Sequence, residues 1–476
     1  MKHPLLTALC LAAVLAASGC VNLSPDYKAP PVPGTIPEVY KEEDGWKTAQ
    51  PRETQERGSW WRVFADPTLD DLISRAGTAN QNIAVAAANL RQARAQIGVA
   101  RSALMPVVSA PASLTRSGST GSGVSNYSFG FNAQWEISFW NALPAFEAAK
   151  AQAEASAADF ATMRLAVQAE LAQAYFQLRG YDGQKRLLES TIKTYKRAVA
   201  LTGSQFRGGL VTRVDLDQAE TQLASAEAQL AAVKRSRAEL EHALAVLAGE
   251  LPSTFSLPEG PLASTLPSVP TGLPSSLLER RPDVAGAERR VAVANEQIGL
   301  ARAAWFPTLS LGGDYLGQGV LHTAPVWAWS VGPSAALTIF QGGRRFAESD
   351  AAWAGYEAEV ANYRQTVLEA FKDVEDGLSA LRHLATEAGA QERAVRSSQS
   401  ALRLAMSQYE GGLTTYLQVV SSQTTALSNE RSAIDIQVQR LTGTVNLIKA
   451  LGGGFTTGEL GTLTDNPPRH GAAEAR

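Results

Sequence analysis

Tyr127-Ser-Phe-Gly-Phe-Asn-Ala-Gln-Trp-Glu-Ile-Ser-Phe139 keeps a strict period of two over thirteen residues. Tyr127, Phe129, Phe131, Ala133, Trp135, Ile137 and Phe139 alternate with Ser128, Gly130, Asn132, Gln134, Glu136 and Ser138. Successive side chains of a strand point to opposite faces, so this stretch predicts a strand with one aromatic face and one polar face. A soluble sandwich strand carries the same alternation. Soluble strands usually run about 3–10 residues, however, and a tilted strand crossing a bilayer needs about 9–11. The length points to a membrane β-barrel.

Around this strand a larger unit takes shape. A partner strand is predicted over roughly Val108–Arg116, with the polar stretch Ser117–Asn126 as the turn. Before the hairpin, Leu69, Leu72, Ile73, Ile83, Leu90 and Ile97 mark one helix of about 35 residues that stops at Pro106. After it, no proline occurs between Pro144 and Pro252, and the residues are mostly good helix formers.

The whole unit occurs twice. Gln96-Ile-Gly-Val-Ala-Arg-Ser-Ala-Leu-Met-Pro106 returns as Gln297-Ile-Gly-Leu-Ala-Arg-Ala-Ala-Trp-Phe-Pro307, an offset of 201 (297 − 96). Ser204-Gln-Phe-Arg-Gly-Gly-Leu-Val-Thr212 returns as Ser407-Gln-Tyr-Glu-Gly-Gly-Leu-Thr-Thr415, an offset of 203 (407 − 204). Solenoid repeats run about 20–50 residues, so this is a duplicated domain-sized unit. The second copy has its helix along Val284, Ala287, Val291, Ala294, Ile298 and Ala301, strands near Thr308–Leu316 and Trp327–Phe340, and a turn over Gly317–Val326. Pro111 and Pro333 fall inside strands and predict bulges. Trp305, Phe306, Trp327 and Trp329 are candidates for an interfacial girdle.

Each long helical stretch breaks once, at Gly208-Gly209 or Gly411-Gly412. Thr212 with Asp215, and Thr415 with Gln418, resemble capping boxes that restart a helix. Each half thus ends in a helical hairpin. The first outgoing arm, from about Glu147, is roughly 90 Å long and its return arm roughly 55 Å at 1.5 Å per residue. The predicted division is 1–19, a leader; 20–68, an extended segment; 69–248, the first repeat; 249–276, a Pro-rich connector; 277–451, the second repeat; and 452–476, a polar tail.

The N-terminus pairs Lys2 and His3 with the apolar run Leu5–Ala17, too short for a span of about 20 residues. It ends in Ala17-Ser-Gly-Cys20, similar to a lipoprotein box that would place a lipid on Cys20; Val21 follows, which by resemblance favours the outer membrane. The other cysteine is Cys10, so a disulfide framework is excluded. The five histidines lie far apart, and no HExxH, GxxxxGK[ST] or GxSxG occurs. Net charge is −3 with no Lys/Arg run, so no nucleic-acid partner is expected. No catalytic residue, metal or cofactor is expected. Acidic residues such as Asp215 and Asp217 read as a helix cap and a solvated face.

Two hairpins give four strands per chain, and the smallest membrane barrels need about eight. Other copies must complete the barrel. Eight strands leave an interior filled by side chains, and only a larger ring leaves an aqueous lumen. The residues alone do not choose between dimer and trimer.

These residues carry a family resemblance. Pro25-Asp-Tyr-Lys28, Trp60-Trp-Arg-Val-Phe-Ala-Asp-Pro-Thr-Leu69, Leu278-Glu-Arg-Arg-Pro-Asp-Val284 and Ile339-Phe-Gln-Gly-Gly-Arg344 together resemble the TolC-type outer-membrane efflux channels, in the NodT-type lipoprotein branch that serves RND pumps. The resemblance implies a mixed α/β membrane protein: a homotrimer with a twelve-stranded outer-membrane β-barrel, four strands per chain, continued by a long periplasmic α-helical barrel. It implies a periplasmic adaptor protein, an inner-membrane RND pump and outer-membrane lipids as partners, in a Gram-negative envelope. It makes Gly208, Gly209, Leu210, Thr212, Gly411, Gly412, Leu413 and Thr415 adaptor-contacting tips, and Leu417, Ser421 and Thr424 a periplasmic gate. Relatives often carry an acidic and a basic residue where Ser421 and Thr424 stand, so an apolar Leu417 ring with weaker polar latching is the expectation here. Phe139-Trp-Asn-Ala-Leu143 also departs from the family's usual strand exit. The implied function is a passive exit channel for small molecules in a tripartite pump. The alternatives are the duct of a type I secretion system and a non-conducting coiled-coil tethering lipoprotein.

Overall fold

The computed structural model describes residues 22–42, 59–267, 269, 280–454 and 464. The leader 1–19, Cys20, Val21, residues 43–58, Leu278 and Glu279 of the third motif, residues 268 and 270–276 of the connector and nearly all of the tail lie outside the described residues. A 3-10 turn, Trp60–Phe64, leads into α1 (Pro67–Ala79) and α2 (Gln81–Ser102). Then come β1 (Val107–Ser109), β2 (Ala112–Ser119), β3 (Ser122–Glu136), α3 (Phe139–Arg207) and α4 (Arg213–Leu247). The second repeat follows with α5 (Pro282–Ala303), β4 (Thr308–Val320), β5 (Val326–Ala336), α6 (Arg344–Glu410) and α7 (Tyr416–Ala450).

The halves match in dimension. Helices α3 and α6 have 69 and 67 residues, and α4 and α7 have 35 each. At 1.5 Å per residue the long helices reach about 100 Å. Helix α3 packs against α1, α2, α4, α5 and α7, while α6 packs against α5 and α7. Two short helices thus run end to end beside one long helix in each half. Small residues line the first core: Ala155, Ala157, Ala158, Ala161, Ala169 and Ala172 of α3 are buried, which lets helix axes approach closely.

The predicted single opening helix is two. Asn80 ends α1 and begins α2, its extended backbone (ψ 127°) interrupting the run. Its Oδ1 accepts from the Asn82 and Ile83 N–H groups at 2.9 and 3.2 Å, and its Nδ2 donates to Leu247 O at 2.9 Å. Helix α3 also begins earlier than expected, at Phe139, with Pro144 inside its first two turns. Early in a helix a proline removes at most one intrahelical bond.

All strands join one antiparallel sheet in the order β1/β2–β3–β4–β5. The hairpin turns are shorter than predicted: β3 already begins at Ser122, and β4 runs on to Val320. Neither proline makes a bulge. Val107 pairs with Gln134 and Ala112 with Phe129, which is one continuous register across Pro111. Gly130 N donates to Pro111 O at 3.2 Å; proline has no N–H to return, so the ladder is interrupted without a shift. Pro333 sits opposite Leu311 in an unbroken β4–β5 ladder. Antiparallel ladders use alternate residues on each side. Ile137 N to Leu309 O and Leu321 N to Ser125 O put the odd residues of β4 on the β3 side. The even residues of β5 therefore face β4, and the donor that Pro333 lacks belongs to the free edge.

The N-terminal segment crosses α5 and α6 as an extended strap. Ser24 Oγ donates to Glu296 at 2.6 Å, Asn295 Nδ2 to Pro25 O at 2.8 Å, and Tyr27 bonds Glu288. Further on, Glu375 accepts from the Lys41 and Glu42 N–H groups at 2.8 and 2.9 Å. A Cβ at Gly299 would lie 2.0 Å from Ser24 Oγ, so glycine is what lets the strap seat there.

Candidate functional site

The sheet has two chemically distinct faces. The register sets Phe131 beside Tyr315 and Tyr315 beside Trp329, with Phe129, Gly317 and Trp327 in the neighbouring row. On this face Trp327 stacks on Tyr315 at 4.9 Å and meets Phe129 edge-on at 5.4 Å. Gly317 leaves room for it, since a Cβ there would be 3.2 Å from the Trp327 ring. These side chains are uncovered within the protomer: Phe131 is 61% and Trp329 75% exposed.

The opposite face is hydrogen-bonded and polar. Asn132 Nδ2 donates to Asp314 Oδ1 at 2.6 Å, and Ser330 Oγ to Asp314 Oδ2 at 3.1 Å, so one carboxylate is held from both neighbouring strands. Ser113 pairs with Ser128 at 2.9 Å and Ser310 with Ser334 at 2.7 Å. A sheet that is apolar on one side and polar on the other suits a wall between lipid and water.

The aromatics form two belts, not one girdle. Tyr127 and Trp327 lie toward the hairpin tips, while Trp329 shares the middle row with Tyr315 and Phe131. Trp305 and Phe306 lie at the helical end, where Trp305 meets Phe346 at 4.9 Å and Phe306 meets Trp140 at 6.1 Å. From Tyr127 to Trp135 the strand advances about 26 Å at ~3.3 Å per residue. That matches the ~25 Å apolar band of membrane barrels.

At the far end the two glycine pairs form matching turns. Gly209 N donates to Phe206 O at 2.9 Å and Leu210 N to Gln205 O at 2.9 Å; Gly412 N to Tyr409 O at 3.0 Å and Leu413 N to Gln408 O at 2.8 Å. Both are Schellman motifs. The second glycine of each pair is the one required, with φ +73° at Gly209 and +70° at Gly412, whereas Gly208 and Gly411 keep φ −81°. The turns present Leu210 and Leu413 at 77% and 82% exposure. Thr212 and Asp215 form the expected capping box. Thr415 does not: its side chain makes no cap bond.

Leu417, Ser421 and Thr424 share one exposed face of α7 at helical spacing, Leu417 being 60% exposed. The other face carries Tyr416, Val419 and Ala426 into the core. Sequence reading missed the lock between the tips. Tyr409 Oη lies 2.8 Å from Gln205 Oε1 and 3.3 Å from Thr202 Oγ1, and its ring meets Tyr416 at 5.2 Å. Burial first, with Tyr409 and Tyr195 nearby, pushes the Tyr416 phenol up to about 12. The signal was present in the repeats: Phe206 occupies the place of Tyr409, so only the second copy carries the hydroxyl.

Among the described residues no helix is long and apolar enough to cross a membrane, and no three His, Cys, Asp or Glu side chains gather as a metal site.

Known proteins share this architecture. The antibiotic efflux pump outer membrane protein ArpC of Pseudomonas putida is 32% identical over 94% of this chain and 95% of its own. The pyoverdine export outer membrane protein OpmQ of Pseudomonas aeruginosa is 31% identical over 84% and 88%. The open-state MtrE outer membrane channel of Neisseria gonorrhoeae superposes with a TM-score of 0.80 at 31% identity, over 92% of this chain and 99% of that one. The model of the outer membrane efflux proteins matches residues 72–250 and 273–453, one block per repeat, and the chain belongs to that family.

Proposed function

We propose that three copies of this chain form the passive outer-membrane exit duct of a tripartite efflux pump for small molecules. The observation that carries the reading is the two-faced sheet with an unpaired strand at each edge: β2 pairs with β3 alone and β5 with β4 alone. Three such sheets give twelve strands, enough for an aqueous lumen lined by the polar face. The helices continue the duct across the periplasm, and transport needs no catalytic group. The exposed tips at Leu210 and Leu413 suit a periplasmic adaptor, through which an inner-membrane RND pump is reached. Substrates of this class include antibiotics for ArpC and pyoverdine for OpmQ. Lipidation of Cys20 fits the strap: Arg302, near the base of β4, donates to Leu23 O at 3.1 Å.

Native mass spectrometry of the detergent-extracted protein tests the assembly. A trimer is expected, and a monomer or dimer overturns the duct. Planar-bilayer recordings then test the lumen. Asp314 and Glu136 lie on the polar face, so the open pore is expected to prefer cations, and Asp314→Asn to weaken that preference with little change in conductance. An unchanged reversal potential would place Asp314 away from the ion path.

At the closed end we place Leu417, Ser421 and Thr424 around the axis. Ser421→Asp would then bring like charges together, which repel by about 1–3 kcal/mol per pair near 6 Å at an effective ε of about 20–50. The basal leak is expected to rise several-fold. A leak equal to the parent's would move the constriction elsewhere.

A further inference from the structure

The two helical-hairpin tips share a backbone and carry opposite charges. Resting on the adaptor reading above, we infer that they are told apart by charge: the adaptor sets a carboxylate against Arg207 beside Leu210, and a cationic side chain against Glu410 beside Leu413.

The duplication supplies the comparison. Arg207 and Glu410 stand at equivalent places, 203 residues apart (410 − 207), each immediately before its glycine pair. The turns that follow are the same. The backbone φ runs −81° then +73° through Gly208-Gly209, and −81° then +70° through Gly411-Gly412, with matching Schellman bonds. Each turn also presents one leucine, 77% exposed at Leu210 and 82% at Leu413. By shape and apolar contact alone, one partner turn would sit equally well on either tip.

Charge separates them. Arg207 and Glu410 are both exposed. Arg207 Nη2 donates only to Ser204 Oγ in its own last turn, at 3.1 Å, and Glu410 has no ion pair among the described residues. The other charges at the first tip are already engaged. Arg213 Nε holds Asp217 Oδ1 at 2.8 Å, and Asp215 closes the capping box with Thr212. Their counterparts at the second tip are the uncharged Tyr416, Val420 and Gln418. Each turn therefore keeps one uncompensated charge, positive on the first and negative on the second.

These two charges do not neutralise each other within the chain. The tips meet through Tyr409 and Gln205, 2.8 Å apart. Arg207 lies two residues past Gln205, about 200° around α3, and Glu410 one residue past Tyr409, about 100° around α6. Both side chains are left for another molecule. At such a surface a buried apolar anchor supplies affinity, while charges at the rim set the association rate and penalise the wrong seating. A carboxylate that suits Arg207 meets its own sign at Glu410. A ring of identical adaptors is thus offered positive and negative positions in turn, three of each on a trimer.

Ethidium efflux tests this in the native host, deleted for the channel and complemented with full-length variants. Arg207→Lys is expected to stay closest to the parent, Arg207→Ala to export about two- to fivefold more slowly, and Arg207→Glu about tenfold more slowly. Glu410→Asp, Glu410→Gln and Glu410→Arg should fall in the same order. Unheated gels should show the parental trimer in every case. Second-site suppressors of Arg207→Glu, selected on ethidium, should exchange an acidic adaptor residue for a neutral or basic one. Equal rates in Arg207→Ala and Arg207→Glu would overturn the charge reading, as would suppressors confined to the channel. A trimer lost in Arg207→Glu and recovered in Arg207→Glu/Glu410→Arg would mean that the two residues pair between copies, and would overturn it as well. A parent that exports no faster than the deletion strain overturns the efflux duct itself, so the two failures are distinguishable.

Discussion

Phe131→Arg is expected to leave almost no assembled protein in the outer membrane. Phe131 stands in the middle of β3 opposite Tyr315, on the apolar face and 61% exposed within the protomer. If that face meets lipid, each arginine near the bilayer midplane costs about 2–4 kcal/mol. Three copies cost about 6–12 kcal/mol, comparable to the whole stability of an ordinary domain, about 5–15 kcal/mol. The adjacent change Asn132→Arg supplies the control. It lies at the same depth and adds the same charge, but points to the other face, where the Asp314 carboxylate is 2.6 Å from the Asn132 amide. It should assemble at near-parental levels. Outer-membrane fractionation with unheated gels reads both. Survival of Phe131→Arg with loss of Asn132→Arg would mean that the faces are reversed.

That asymmetry was legible in the sequence because a strand writes its two faces as alternate residues. The alternation could not say where pairing stops. Phe139 continues the pattern, yet the ladder ends near Leu309 and the chain turns into α3, so the alternation outruns the strand by three residues. The duplication was equally plain, and it gave the matched helix lengths. The break at Asn80 was hidden among alanines, glutamines and asparagines with no distinct periodicity; what fixes it is the contact of Asn80 with Leu247, 167 residues away in the chain. The prolines misled for a related reason. A missing donor predicts a bulge, but Pro333 directs that gap to the edge of the protomer's sheet, which only the register reveals. At the tips the glycine pairs announced the turns, while the Tyr409 lock depended on one oxygen present in a single repeat. The strap was recognisable only by resemblance, since a Pro-rich extended segment has no period and is placed by distant partners on α5 and α6.

The same distance from local pattern applies to the join between the repeats, and Asp182→Ala is expected to undo it. Asp182 is fully buried on α3. It accepts from Arg179 Nη1 at 2.9 Å, Arg237 Nε at 2.7 Å and Gly260 N at 3.0 Å. The two arginines then hold the connector backbone, Arg179 at Pro258 O (2.8 Å) and Arg237 at Leu257 O (2.7 Å), while Glu241 accepts from Leu257 N at 2.6 Å. Burial works against the Arg179 charge, but hydrogen bonds to Tyr175 and Asp182 outweigh it and hold the guanidinium above its ordinary range. Guanidinium is too basic to escape by deprotonation when that partner is removed. Alanine at 182 leaves two guanidinium groups, 5% and 13% exposed, without their shared carboxylate. Breaking a buried pair in this way costs about 3–5 kcal/mol. The loss falls on the segment that ties one repeat to the other, so limited proteolysis should cut within residues 250–267 and release two halves of similar size, whereas the parent resists. Asp182→Asn keeps the shape and one acceptor and should fall between. Equal resistance in all three proteins would show that the connector is held by its apolar contacts, Phe255 and Leu257, and that the charges are incidental to it.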